Sequence, residues 1–429
     1  MDVFELSDDL WSGKHSTKEI HPLIPHNSIT GIEDGLAFVS SFANVSCVDT
    51  EEGLVLIDTG SFLLAEQVHQ TIRTWTGSRL SKAIYSHGHV DHVFGVPYFE
   101  AEAKEAGWEG PQVIAHEALA HRFDRYKLTR GYNEIINQRQ FRAPGMVWPT
   151  NYRYPDIDYH DRYEFVVGDV SFEVNHAKGE TDDHSWTWIP SHRTLCCGDL
   201  FIWASPNAGN PQKVQRYPAE WAVALREMAT RNAEYLLSGH GVPIKGEARV
   251  KAALTHTAEL LESIVDQTIT ILNSGARLDD AIHQVTYPSH LMELPYLQPV
   301  YDEPEFIVRN IWRLYGGWYD GNPANLKPAR EVALADEIAA LAGGAGVLAT
   351  RAMELIELGD DQSLRLATHL VEFAALASND PAIIDARRAI YAVRAETSTS
   401  TMAKGIFGWA STEFDNDNSQ PADTNGHLH

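Results

Sequence analysis

The chain has 429 residues, of which 44% are hydrophobic and 22% charged, a balance typical of a globular protein with a sizeable core. Its 34 Lys and Arg stand against 59 Asp and Glu, and the formal net charge of −25 argues against a nucleic-acid or anionic-membrane surface. We expect a cytoplasmic protein, because we find no signal peptide, no membrane-spanning apolar run and no disulfide framework among Cys47, Cys196 and Cys197.

The first half of the chain alternates between predicted strands and helices. Residues 36–50 (LAFVSSFANVSCVDT) and 53–61 (GLVLIDTGS) predict a β-hairpin, because two strand-like runs flank a short turn. Leu54-Val55-Leu56-Ile57 is a continuous apolar run, which is typical of a strand covered on both faces. Residues 61–77 have helical periodicity and end at a glycine, and KAIYS (82–86) predicts the next strand. The pattern is typical of an α/β domain.

The remaining pattern divides the chain into three parts. We predict a catalytic domain over residues 1–245, with an aromatic and polar insertion at about 100–150. From residue 246 the pattern is almost wholly helical, which predicts a helical domain over 246–395. Residues 396–429 predict a polar, disordered tail.

The motif HGHVDH places three histidines and an aspartate in six positions directly after the strand KAIYS. Open α/β sheets usually place their sites at this carboxyl end of a strand. His87 and His89, two residues apart on an extended segment, are predicted to share one metal. Asp91 and His92 point toward a second metal, and Gly88 is predicted to relieve crowding between the imidazoles. The alternative is a surface cluster of polar residues that holds no metal.

This motif resembles that of the metallo-β-lactamase superfamily, whose fold is an αββα sandwich. The resemblance covers about residues 28–245 and extends to later strand ends. The dipeptide Gly-Asp at Asp199 matches the family's bridging aspartate, and Gly-His-Gly at His240 matches its last histidine ligand. Asp58 in IDTG matches an aspartate that accepts a hydrogen bond from a ligand instead of binding the metal.

One loop, GETDDH, departs from the majority pattern of the superfamily. It places Glu180 where most members carry a histidine ligand, with His184 four residues later. Residues 297–329 strongly resemble the dimerisation domain of alkylsulfatases of this fold, whose loop carries two glutamates with the same spacing. By that match we expect His184 to bind the first metal and Glu180 to orient water or substrate, with Glu180 as the alternative ligand.

Together these residues predict an enzyme with two Zn²⁺ ions, and iron or manganese are the alternative metals. The expected ligands are His87, His89, His184 and Asp199 for the first ion and Asp91, His92, Asp199 and His240 for the second. Zinc lowers the pKa of bound water from 15.7 to about 7, so a bridging hydroxide is the predicted nucleophile. Asp91 and Asp199 are the predicted catalytic residues, because Asp91 doubles as a proton shuttle and Asp199 bridges the metals.

The alkylsulfatase resemblance implies a homodimer that hydrolyses a small sulfate ester or a related ester. The alternatives are a lactonase, a phosphodiesterase or another metallo-hydrolase on the same site, and a non-catalytic metal-binding dimer. Two departures leave the substrate open, because alkylsulfatases typically carry glutamate at the position of Asp199 and a different sulfate-holding segment after it. Candidate substrate residues, each with the alternative of a surface group or a loop cap, are Tyr132, Asn133, Asn137, Arg139, Asn207, Asn210, Lys213 and Arg216.

Overall fold

A computed structural model describes residues 2–413, which form two compact units. The first unit comprises Met1–Asn133 and Val147–Gly321, and the second comprises Glu134–Met146 and the chain from Asn322 onward. The strands described below all belong to the first unit.

Two mixed sheets form the centre of the first unit. The seven-stranded sheet contains, in both chain and spatial order, β1 (Ser28–Glu33), β2 (Leu36–Ser40), β3 (Val45–Thr50), β4 (Gly53–Ile57), β5 (Leu80–Ile84), β6 (Gln112–His116) and β7 (Ile157–Tyr159). The six-stranded sheet contains β8 (Arg162–Val167), β9 (Val170–His176), β10 (Ser185–Ile189), β11 (Thr194–Gly198), β12 (Tyr235–Ser238) and β13 (Ile244–Lys245), also in spatial order. Strands β4 to β7 are mutually parallel, as are β11 and β12, and the other neighbours are antiparallel.

Helices cover the sheets and make up the rest of the chain. The first ten are α1 (Val3–Trp11), α2 (Ala65–Arg73), α3 (Val96–Ala106), α4 (Ala118–Leu128), α5 (Arg130–Phe141), α6 (Pro218–Met228), α7 (Glu247–Asn273), α8 (Leu278–Gln284), α9 (Ser289–Met292) and α10 (Pro304–Gly316). The later helices are α11 (Pro323–Leu326), α12 (Glu331–Ala342), α13 (Ala345–Ile356), α14 (Asp361–Ala377), α15 (Pro381–Thr397) and α16 (Thr401–Ala410).

Strand β4 shows how the apolar pattern produces the layers. All five of its residues are buried. Val55 and Ile57 pack between the two sheets, whereas Leu54 and Leu56 pack outward in a cluster that includes residues of α2 and α3. Residues of α6, α7 and α10 form the corresponding cluster on the outer face of the second sheet. The predicted αββα sandwich is therefore confirmed, as is a strand covered on both faces.

The structure differs from the sequence-based expectation in several places. The run 36–50, predicted as one arm of a hairpin, forms the two antiparallel strands β2 and β3. Strand β6 lies inside the predicted insertion, because the short apolar run Val113-Ile114-Ala115 pairs in parallel with β5 and β7. The last strand ends at Lys245, where the pattern turns helical, but α7 to α10 still belong to the first compact unit, which ends at Gly321. The domain boundary predicted between residues 245 and 246 stays a prediction.

The second unit consists of helices. Two buried apolar clusters join residues of α12 to α15, including Ala339, Val371 and Ile390. Helix α16 lies in the segment predicted as a disordered tail. Ser400 caps it by accepting the Ala403 amide, and Met402 and Ala403 are buried while Phe407 is half-buried. The rest of the predicted tail, 414–429, lies outside the described residues.

Within the described chain, no single helix combines the length and the apolar composition that a membrane span needs, although α12 and α13, bent by 84°, satisfy both together.

Candidate metal centre

The predicted ligands converge because they follow strands whose carboxyl ends share one edge of the sandwich. The motif of residues 87–92 follows β5, and Asp58 directly follows the parallel neighbour β4. Asp199 directly follows β11, and His240 lies two residues after the parallel neighbour β12. Parallel strands end side by side, so their loops present these side chains to a common space.

The first ligand group consists of His87, His89, Glu180 and Asp199, whose ligand atoms lie within 4.8 Å of one another. The His87 Nε2 atom is 2.8 Å from His89 Nδ1 and 3.7 Å from Asp199 Oδ2. His89 Nδ1 is 3.6 Å from Glu180 Oε1. Two imidazoles and two carboxylates in this arrangement are a donor set that suits Zn²⁺.

The second ligand group consists of Asp91, His92 and His240. Asp91 Oδ2 lies 3.2 Å from His240 Nε2 and 3.7 Å from His92 Nε2. Asp199 also faces this group, with Oδ1 at 3.5 Å from His92 Nε2 and Oδ2 at 3.4 Å from His240 Nε2. The Asp199 carboxylate therefore lies between the two groups, where a bridging ligand would be needed.

Hydrogen bonds orient three of the histidines so that Nε2 faces the site. His92 Nδ1 donates to Asp58 Oδ2 at 2.8 Å, and the Ser86 hydroxyl donates to the same oxygen at 2.8 Å. The Ser86 oxygen in turn lies 3.0 Å from His87 Nδ1, and His240 Nδ1 donates to the Phe42 carbonyl at 2.5 Å. Asp58 thus lies outside both ligand groups and supports His92 from behind, as the outer partners of metal-binding histidines commonly do.

Unsatisfied buried atoms indicate that the two groups fit metal ions. Among the described residues, His92 Nε2, Glu180 Oε2 and Asp199 Oδ1 are buried without a hydrogen-bond partner. Buried polar atoms are normally hydrogen-bonded, so such a concentration needs an explanation. Metal coordination would satisfy all three atoms at once.

The protonation tendencies of the histidines differ between the groups. Burial and then the neighbouring imidazoles lower the pKa of His87 well below 6.5, and burial and the Arg216 guanidinium do the same for His89. Burial also opposes the charged form of His240, but Asp199 and Asp91 outweigh it and raise its pKa to about 10. Neutral imidazole is the form that binds a metal. The first group is therefore already in that form, whereas a metal at the second would displace a proton.

The sequence predicted His184 as a ligand of the first metal, but His184 is not a member of the first ligand group. The ring of His184 is stacked on His87 at a centroid distance of 4.7 Å, and its Nε2 atom accepts the Asp199 amide at 3.1 Å. Glu180, instead, lies in the first ligand group. Its Oε1 atom accepts hydrogen bonds from the Asn207 side chain and, at 3.2 Å, from Arg216.

A buried arginine that sequence reasoning missed joins the loop of Glu180 to the histidine motif. Arg122 on α4 donates to Asp183 Oδ1 at 2.5 Å and also contacts Asp182. Asp183 Oδ2 accepts the Gly88 amide at 2.8 Å. A Cβ atom at Gly88 would lie 2.9 Å from Arg122 Cδ and 3.1 Å from Asp183 Oδ2, so this glycine makes room for these two side chains, whereas the sequence predicted that it relieves the imidazoles. A lone arginine in a helix pattern gives no signal of this role.

The predicted substrate residues fall into two sets. Asn207 contacts Glu180 as described, and the half-buried Lys213 places Nζ 5.6 Å from the ring centre of Trp148. Burial and then Arg216 lower the pKa of Lys213 to about 7.

The predicted substrate residues Tyr132, Asn133 and Arg139 come from the predicted insertion, and no contact of Tyr132 or Asn133 with a ligand residue is observed among the described residues. Tyr132 is 60% exposed, and the buried Asn133 donates to the carbonyl of Thr129, which lies between α4 and α5, at 3.0 Å. Arg139 belongs to the second compact unit. Sequence reasoning also missed Tyr301, whose pKa is raised well above its usual range by burial and by nearby carboxylates, Glu180 foremost.

Two family descriptions match the chain. The metallo-beta-lactamase superfamily matches residues 40–240, and the alkyl sulfatase dimerisation family matches residues 277–417. A linear primary-alkylsulfatase of a Pseudomonas species is 24% identical over 69% of this chain and 60% of its own length. An (R)-specific secondary-alkylsulfatase of a Pseudomonas species is 26% identical over 80% of this chain and 55% of its own length.

A solved structure extends the likeness to the fold. The stereoselective inverting sec-alkylsulfatase of a Pseudomonas species superposes with a TM-score of 0.82 at 20% identity, over 96% of this chain and 68% of the other. The chain spans 60% and 55% of the lengths of the two curated relatives described above.

Proposed function

Because residues 40–240 match the metallo-beta-lactamase superfamily and residues 277–417 match the alkyl sulfatase dimerisation family, we propose that the chain is a metal-dependent hydrolase of sulfate esters. The observation that carries this proposal is the pair of ligand groups with Asp199 between them. The alkylsulfatase relatives support sulfate esters over the lactones and phosphodiesters that the same kind of site serves elsewhere.

We assign one Zn²⁺ to each ligand group, with Asp199 shared and with Glu180 in place of His184. Zinc would supply Lewis acidity that lowers the pKa of a water molecule to about 7, which makes hydroxide available at neutral pH. Asp91, which is partly exposed, would be the carboxylate that takes up a proton in this reaction. Iron and manganese suit the same nitrogen and oxygen donors.

Charge and shape around the ligand groups suit an organic sulfate. A sulfate monoester is an anion, and Arg216 brings a cationic group to Glu180, while an anionic substrate would favour the protonated form of Lys213. Trp148 lies under Lys213, and the partly buried Tyr301 lies near the carboxylates of the site. These aromatic rings would accept the apolar part of an alkyl or aryl group.

We also propose that the protein is a homodimer. The dimerisation family matches a region that includes all of the second-unit helices α11 to α16. In that unit several large apolar side chains are at least 47% exposed, namely Leu326, Val332, Leu334, Leu341, Val347, Leu358 and Leu366. Apolar area of this kind is typical of surfaces that are covered in an assembly.

A substrate panel tests the proposed reaction. The zinc-loaded chain is incubated with primary and secondary alkyl sulfates, an aryl sulfate, lactones and phosphodiesters, and inorganic sulfate and the other products are quantified. We expect sulfate release from at least one sulfate ester, with a rate that falls by about 10³-fold or more in Asp199→Asn, because a bridging ligand and its charge are removed. Turnover of only lactones or phosphodiesters would contradict the proposal.

A further inference from the structure

We propose that Asp302 is a positioning residue of the candidate metal centre, because its carboxylate fixes the 205–216 loop that presents Asn207 and Arg216 to Glu180. The inference rests on the proposed function in one respect: it takes Glu180 to be a ligand of the first metal. Asp302 belongs to the region matched by the dimerisation family, far along the chain from the metal-binding motifs.

The Asp302 carboxylate is fully buried and accepts three backbone amides. Its Oδ2 atom accepts the amides of Gly209 at 2.7 Å and Asn210 at 3.2 Å. Its Oδ1 atom accepts the amide of Glu303 at 2.7 Å. Buried polar groups are held by their hydrogen bonds, and three amides converge on this one carboxyl group, so Asp302 is a strong attachment for the middle of the 205–216 loop.

The segment 298–310 holds the same loop at its two ends. The Ser205 amide donates to the Gln298 carbonyl at 2.9 Å. Asn310 accepts the Arg216 amide at 3.3 Å through Oδ1 and donates to the Arg216 carbonyl at 3.1 Å through Nδ2. Gln298, Asp302 and Asn310 thus hold the start, the middle and the end of the 205–216 loop.

The loop lies directly against the first turn of α10. A Cβ atom at Gly209 would lie 2.4 Å from the Phe306 carbonyl carbon and 2.5 Å from the Ile307 nitrogen, so only glycine permits this approach. The loop and the first turn of α10 are therefore in direct backbone contact beside the two amides that Asp302 accepts.

The opposite face of the loop supports Glu180. Arg216 donates to Glu180 Oε1 at 3.2 Å, and its Nε atom donates to the Asn207 carbonyl at 3.3 Å. The Asn207 side chain donates to the same Glu180 oxygen. These donors hold Oε1, the Glu180 oxygen that lies 3.6 Å from His89 Nδ1, and the other oxygen, Oε2, has no hydrogen-bond partner within the described part of the chain. A displaced loop would release Glu180 from this orientation.

Asp302→Asn is the main test, made in the full chain. An asparagine has one carbonyl oxygen, and its NH₂ group would face backbone amides that are themselves donors. We expect faster amide hydrogen exchange in the 205–216 loop of the metal-free protein. We also expect zinc affinity at one site to fall by about 10- to 100-fold, the usual effect of losing support behind a ligand.

Two further measurements separate positioning from general destabilisation. The visible absorption of the Co²⁺-substituted protein, which depends on the ligand set, is expected to shift in Asp302→Asn and in the same direction in Asn207→Ala. The matched control is Glu305→Gln, since Glu305 lies in the first turn of α10 and pairs with the half-exposed Arg309 at 3.5 Å. This control is expected to leave hydrogen exchange, zinc affinity and the Co²⁺ spectrum unchanged.

The outcomes are distinguishable from those of the proposed function. Hydrogen exchange, zinc affinity and the Co²⁺ spectrum need no substrate, so they decide the role of Asp302 even if no sulfate ester is hydrolysed. Unchanged exchange, affinity and spectrum in Asp302→Asn would overturn the inference. If that variant fails to fold, the smaller hydroxyl acceptor in Asp302→Ser repeats the test with the same expected shifts, and a wild-type spectrum there would overturn it equally.

Discussion

Glu180 and His184 compete for one ligand position in the first ligand group. Glu180 reaches that group with its carboxylate held by Asn207 and Arg216, whereas His184 uses Nε2 to accept the Asp199 amide. We therefore expect Glu180→Gln to lower the bound metal from about two ions per chain to about one, because a neutral amide is a poor ligand for zinc. Metal content after gel filtration in metal-free buffer measures this.

His184→Gln is the matched comparison. Its side-chain oxygen can still accept the Asp199 amide, so we expect about two ions per chain to be retained. If His184→Gln loses an ion and Glu180→Gln does not, the ligand assignment reverts to the one that the sequence favoured.

The sequence predicts ligands well where they lie close together in the chain. The histidine motif is compact, and its six positions contain four possible metal ligands. The choice between Glu180 and His184 depends instead on the Asp199 amide, which belongs to another strand end. Spacing within one loop cannot show which side chain a distant backbone group has already engaged.

At the scale of elements, helix α4 fastens the Glu180 loop to the histidine motif through Arg122 and Asp183. Both side chains are buried, and Arg122 also holds the pKa of Asp183 at about 2 against the opposing effect of burial. Arg122→Met would leave a buried carboxylate without its cation, so we expect the free energy of unfolding to fall by about 3–5 kcal/mol. Urea unfolding of the metal-free protein measures the difference.

Lys127→Met is the control for this substitution. Lys127 is on the same helix but is exposed, and it donates to the Tyr154 hydroxyl at 2.8 Å. We expect a change within about 0.5 kcal/mol, as for most surface substitutions. Equal effects of the two substitutions would contradict the prediction, because the contact of Arg122 with Asp183 would then contribute no more to stability than an exposed residue of the same helix.

The ends of β6 and β9 meet through two stacked imidazoles, and this contact makes stability depend on pH. The rings of His116 and His176 are 3.6 Å apart and nearly parallel, at 8°. Burial and then His176 lower the pKa of His116 to about 4, whereas an exposed histidine titrates near 6.5. As pH falls between these values, the unfolded chain binds a proton that the folded chain excludes, so the free energy of unfolding decreases.

Replacing His116 with asparagine should remove this dependence. Between about pH 7 and about pH 4.5, we expect the urea midpoint of wild type to fall more than that of His116→Asn. His160→Asn is a control of opposite sign, since Glu117 raises the pKa of His160 and wild type gains from protonation as pH falls. Parallel pH profiles for wild type and His116→Asn would contradict this account.

Element prediction succeeded where the pattern was long or repetitive and failed where the reason was tertiary. The continuous apolar run of β4 predicts a strand covered on both faces, and all residues of β4 are buried in the structure. The five residues of β6 lie in a segment that the sequence predicted as an insertion. They form a strand because they pair with β5 and β7, which a local pattern does not show. Gly88 was predicted to relieve the imidazoles, but its nearest neighbours are Arg122 and Asp183, from other elements.

At the scale of the whole molecule, the ligand groups and the surface proposed for dimerisation lie in different compact units. All the ligands belong to the first unit, whereas the exposed apolar side chains proposed to form the dimer belong to the second. The sequence predicted an αββα sandwich followed by helices from alternation, periodicity and resemblance. It could not predict that α7 to α10 complete the first unit, because a helix pattern does not reveal which apolar surface it covers.

The proposed dimer surface makes a prediction that is independent of the metal centre. Leu341 at the end of α12 is 86% exposed, and Val332 at its start is 50% exposed. A glutamate at position 341 would place a charge in an apolar interface, where charged side chains are depleted. We expect light scattering to give wild type a mass of about twice 47.8 kDa and to shift Leu341→Glu toward a single chain at micromolar concentration.

The control for the dimer is Val223→Glu, because Val223 on α6 is 68% exposed and belongs to the first unit. It should remain a dimer, and both variants should keep about two metal ions per chain, since neither substitution touches a ligand. A single-chain mass for wild type would refute the homodimer. A dimer that persists in Leu341→Glu would place the interface on a different surface from α12, because an apolar contact cannot retain an unpaired buried carboxylate without a large loss of affinity.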